Sequence, residues 1–177
     1  MKIGDRSERT KKIAISAMLS ALGVVVLYIG AVIEVVDISM AVVASLFAIF
    51  AVIEFGTAFA WSIYAITGIL SAVLIPNKFP AIMYILFFGF YPIIKERLER
   101  IQNKVTQWIS KEIIFNVCLV LLMIIGNYFL MIDIGEWLEI EIIFFLLANL
   151  VFVVYDFALT RLISFYFFRL RGKFKFR

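Results

Sequence analysis

The stretch RTKKIAISAMLSALGVVVLYIGAVI, Arg9 to Ile33, decides the class of fold. A basic doorstep is followed by about 20 residues without a charge, enough to cross the hydrocarbon of a bilayer as one helix. Within it Ala17 and Ala21 stand one helical turn apart, with Ala14 on the same stripe, and Ser16, Ser20 and Gly23 form a second small-residue stripe beside it. Small side chains let another backbone come close, which lipid tails do not require and a neighbouring helix does. The segment therefore reads as a helix that packs closely, either inside its own bundle or against a separate subunit.

The composition around it agrees. The chain has 177 residues, of which 64% are hydrophobic, well above the roughly 45–50% of a soluble domain. An all-α integral membrane protein of one transmembrane domain follows, with no length left for a soluble enzyme domain. Cys118 is the only cysteine and histidine is absent, so neither a disulfide framework nor a cysteine- or histidine-based metal site can be built within one chain. The first apolar run is too long for a cleavable signal and no small-x-small site closes it.

Six spans are expected, at about 13–33, 38–53, 58–75, 80–94, 113–132 and 142–160. Gly56 and Thr57 make the tight second connection, and Pro76-Asn77-Lys78-Phe79-Pro80 is a strong turn that Pro80 leaves as a helix start. Pro92 removes a backbone donor and should kink or end the fourth helix. Between the fourth and fifth spans, Leu98, Ile101, Val105, Trp108 and Ile109 share one helical face, so an amphipathic interfacial helix is expected at about 96–110.

The charges test the count. With both termini cytoplasmic, every Lys and Arg except Lys78 lies inside, including Lys95 to Lys111 and the tail SFYFFRLRGKFKFR, while Glu34, Asp37, Asp133, Glu136, Glu139 and Glu141 lie outside. The net charge of +4 is then explained by orientation and anionic lipid, not by nucleic acid.

Catalytic signals are missing. The sequence holds no GxxxxGK[ST] loop and no HExxH, and no catalytic residue, metal site or cofactor is expected. The acids sit near span ends. Asp156, about a turn inside the last span, either bonds Thr160, reaches the interface near Arg161, or has a functional partner.

A six-helix layout with both ends inside, opened by RTKKIAISAMLSALG with Ala17-x-x-x-Ala21, resembles the S components of energy-coupling-factor (ECF) transporters. These are the small substrate-binding membrane subunits of vitamin and micronutrient importers. Gly56-Thr57 and the alanine-rich helix after it look like that family's second-to-third helix turn, where Gly-Pro often stands. The resemblance implies a prokaryotic plasma-membrane location, a transmembrane coupling subunit docked on Ala14, Ala17 and Ala21, and a separate ATPase pair. It also implies a small-molecule pocket at the outer end. Candidates there are Glu34, Asp37, Asn77, Lys78, Phe79, Tyr84, Asn127, Tyr128 and Trp137, a few polar groups among aromatics. Their alternative roles are solvated turns, interface anchors and topology charges.

Two rival classes stay open. The rod-shape-determining protein D family is similar in size and span number and is structural. An independent channel or secondary transporter is the other, against which stand the missing inverted repeat and the lack of a charge at mid-depth in any span.

Overall fold

In the computed structural model residues 3–130, 138–166 and 168 are described, with side chains for 6–33, 35–126, 143–166 and 168. Among them the secondary structure is helical throughout. The helices are α1 (Ile3–Val32), α2 (Asp37–Glu54), α3 (Thr57–Leu74), α4 (Phe79–Met83), α5 (Tyr91–Leu98), α6 (Lys104–Leu130) and α7 (Leu138–Phe165). Six helical stretches are long and apolar enough to cross a membrane, the fourth being the composite Phe79–Leu98. The basic C-terminal residues and the loop acids Asp133 and Glu136 lie outside the described residues.

Three boundaries differ from the sequence reading, each for a local reason. The first helix runs back through the polar tail to Ile3, where Thr10 Oγ1 donates to the Arg6 carbonyl at 2.9 Å. The fourth span is interrupted: Tyr84–Phe88 forms a π-helical turn, with Gly89 N–H donating to the Tyr84 carbonyl at 2.7 Å. Pro92, which has no N–H to give, then sits in the first turn of α5. Tyr64 Oη donates to the Ile85 carbonyl at 2.9 Å, so a backbone group within the irregular turn gains a partner from α3.

The interfacial helix expected at 96–110 is not one element. Its first residues end α5, residues 99–103 are non-helical, and α6 begins at Lys104 and continues into the fifth span. Asn103 sets that start, its Oδ1 accepting from the Val105 N–H at 3.0 Å and its carbonyl from the Gln107 N–H at 2.9 Å. This is N-capping by a short polar side chain, which fixes a new helix where continuous amphipathic spacing suggested an old one.

The chain forms two compact units, Met1–Arg100 and Ile101–Arg177. In unit 1, short connections make α1, α2 and α3 alternate in direction, and two stacked clusters fill the interior. Near one end are Leu27, Ala31, Ala41, Ala44, Ile75 and Tyr84. Towards the other are Leu19, Ala51, Ala60, Ile63 and Ile93. Unit 2 is the pair α6 and α7.

Candidate functional site

At the end of unit 1 where α1 meets α2 and α3 meets α4, polar atoms close helix ends. Asp37 Oδ1 accepts from the Ile38 N–H at 2.6 Å as α2 begins. Asn77 Oδ1 accepts from the Phe79 N–H at 3.1 Å and opens α4. Lys78 Nζ donates to the carbonyls of Ile75 at 2.6 Å and Val73 at 3.4 Å, neutralising the negative end of α3. Asn77, Lys78 and half-buried Phe79 thus come together in one turn. Tyr84 lies deeper, fully buried, its ring 6.0 Å from that of Tyr64 and its hydroxyl facing Thr67.

Glu34 occupies the short 3-10 turn Glu34–Val36. Asn127 and Tyr128 fall on the last turns of α6, in unit 2. Trp137 lies outside the described residues.

A seam of hydroxyls runs through unit 1 beneath that turn. Ser20 donates to the Ser16 carbonyl at 2.9 Å and Thr67 to the Ser20 carbonyl at 3.3 Å, tying α3 to α1. Among the described residues Ser16 Oγ and Ser71 Oγ are buried without a hydrogen-bond partner.

The two small-residue stripes of α1 separate. Ser16, Ser20, Gly23 and Gly30 are buried, and Ala14, Ala17 and Ala21 are exposed. The glycines are required where they stand: a Cβ on Gly23 would lie 2.9 Å from Thr67 Cγ2, and one on Gly30 2.8 Å from Met40 Cβ. Close helix approach inside the unit uses one face of α1, and the alanine face is left over.

Unit 2 holds an arrangement that the sequence reading missed. The expected bond between Asp156 and Thr160 is present on the backbone, where Thr160 Oγ1 donates to the Asp156 carbonyl at 2.9 Å. The carboxylate accepts instead from Lys111 Nζ at 2.8 Å, both side chains being buried. Lys111 Nζ also sits 5.3 Å from the centre of the Trp108 ring. Phe115 stacks on Phe152 with centroids 4.5 Å apart, and Asn116 and Asn149 exchange amide hydrogen bonds of 3.1 and 3.2 Å. The pairs keep one antiparallel register: eight residues forward on α6, from Trp108 to Asn116, match eight residues back on α7, from Phe157 to Asn149.

Lys111 and Asp156 fall within the candidate spans Lys104–Gly126 and Ile143–Phe165. A buried carboxylate in an apolar helix needs a counter-charge, and a lysine on the neighbouring helix supplies it. The signal was present as two matching stripes, Trp108-Lys111-Phe115 and Asn149-Phe152-Asp156, each at helical spacing with opposite charge. Among the described residues no group of three His, Cys, Asp or Glu side chains is placed to hold a metal ion.

Helices of this length and apolarity define the class: an all-α, multi-pass membrane protein. Comparison with known protein families, curated proteins and solved structures found no match to this chain.

Proposed function

We propose that this protein is the substrate-binding membrane subunit of an ECF-type importer. It captures a vitamin-like small molecule at the outer face of a prokaryotic plasma membrane and docks through α1 on a transmembrane coupling subunit. It does no chemistry of its own, and separate ATPases supply the energy. One observation carries this reading: α1 uses its serine and glycine face inside unit 1 and leaves Ala14, Ala17 and Ala21 exposed. An exposed flat stripe in lipid is what a second membrane subunit needs for close backbone approach. The even number of spans and the basic residues grouped towards one side support cytoplasmic termini, with the region from Lys95 to Lys111 at the inner boundary. In this reading Asp37, Asn77, Lys78 and Phe79 border the outer entrance of unit 1, with Glu34 and Tyr84 as further contacts there.

The test is co-purification with a coupling subunit and ATPase pair from the same cell. Exchanging Ala17 and Ala21 for leucine is expected to abolish association while leaving any bound small molecule in place. Undiminished association removes the docking role.

A second reading, a non-transporting structural protein similar to the rod-shape-determining protein D family, is favoured by one feature. The interior near Asp37 and Asn77 is filled by Leu27, Ala31, Ala41, Ala44, Ile75 and Tyr84. Native mass spectrometry separates the two: a small molecule retained in stoichiometric amount excludes the scaffold.

A further inference from the structure

The other end of unit 1 carries a different kind of opening. There α2 passes to α3 through Phe55 and Gly56, and an open cleft of about 360 Å³ lies between Val52, Gly56, Thr57, Glu96, Arg97 and Arg100. Its charge is lopsided. Arg100 is paired with Glu96 one turn back, whereas Arg97 is exposed and its guanidinium has no ion-pair or hydrogen-bond partner among the described residues. Two guanidiniums against one carboxylate leave a net positive charge on this wall.

The opposite wall offers donors. Gly56 lines the cleft with φ +90°, and a Cβ on it would meet nothing within 4 Å, so no neighbouring atom crowds it on that side. The 18-residue α3 starts at Thr57 with no side-chain cap and no acid in its first turn, and Thr57 itself lines the cleft. Three candidate spans end or begin here, Asp37–Glu54, Thr57–Leu74 and Phe79–Leu98. This is the depth at which headgroups meet hydrocarbon.

We propose that this cleft binds a phosphate group. Arg97 makes the charge-assisted contact, the Thr57 hydroxyl and the first N–H groups of α3 reach the other oxygens, and Glu96 holds Arg100 alongside. Val52 and the location at span ends favour the phosphodiester of an anionic lipid over free phosphate, since an acyl chain gains an apolar wall that an inorganic ion cannot use.

The experiment is native mass spectrometry of the full-length protein titrated separately with phosphatidylglycerol, phosphatidylcholine and inorganic phosphate. Phosphatidylglycerol is expected to be retained roughly tenfold more strongly than phosphatidylcholine, whose phosphate is the same but whose choline cation is repelled by the two guanidiniums. Arg97→Gln with Arg100→Gln should erase that preference, and Arg97→Lys with Arg100→Lys should keep most of it. Glu96→Gln, which releases Arg100, should strengthen retention, so it decides the matter even if the double glutamine variant does not fold. Inorganic phosphate that binds alone, with the same dependence on Arg97, makes a soluble phosphate the source. A lipid preference untouched by the glutamine pair overturns the site. So does a wild-type protein indifferent to both phosphatidylglycerol and phosphate, or retention that Glu96→Gln leaves unchanged.

Discussion

In unit 1 the helices meet through glycine, alanine and serine, whereas the two long helices of unit 2 meet through an ion pair, an amide pair and stacked rings. Gly23 against Thr67 and Gly30 against Met40 bring backbones close enough for many weak contacts. Lys111 with Asp156 and Asn116 with Asn149 make few contacts, but directional ones. Apolar burial drives little association between helices already surrounded by lipid. Three neighbouring helices can fit one another by shape. Two helices alone need bonds that fix their register.

That contrast can be broken most forcefully at the ion pair. Lys111→Met leaves the Asp156 carboxylate buried without its counter-charge and is expected to destabilise unit 2 by about 3–5 kcal/mol. Adding Asp156→Leu should recover most of the loss. Thermal unfolding in detergent, followed through the fluorescence of Trp108 beside the pair, reads both variants. A double variant no more stable than the single one would show that the pair is not the unit of stability. Gly23→Leu, on the shape-fitted side, should cost about 2 kcal/mol because the new side chain has Thr67 in its way. An unchanged melting temperature there would mean that α1 and α3 do not need their close approach. The smallest effect is expected for Asn116→Leu, about 0.6 kcal/mol, the usual worth of a hydrogen bond between helices in a membrane. A loss as large as that of Lys111→Met would move the register lock from the ions to the amides.

Much of the fold was legible in the sequence because the signals are local. Uncharged runs of sufficient length gave six helical spans, Pro76 to Pro80 gave the third turn, and Gly56 gave the second. At Gly56 the structure shows φ +90° with ψ 169°, a conformation that favours glycine. The helix boundaries were less legible where two local signals compete. Asn103 capping outweighed the amphipathic spacing around it, and the break in the fourth span came upstream of Pro92, in a π turn that no single residue announces. The Lys111–Asp156 pair was not read at all, since its partners are 45 residues apart and each alone resembles a boundary charge. For the candidate site, the turn holding Asn77 and Lys78 was found, but the tying of their polar atoms to the ends of α3 and α4 depends on rotamers that spacing does not fix.

The interrupted fourth span bears on how the protein is made. Phe79–Leu98 is the least apolar of the six, half of its most apolar window is buried in the bundle, and its helix is broken by Tyr84–Phe88 and restarted by Pro92. A segment of that kind partitions poorly from a translocon as an isolated helix. Its biogenesis is expected to follow the three helices before it, which shelter Tyr84 and supply the Tyr64 hydroxyl to its irregular turn, so that insertion and assembly of this segment become one event.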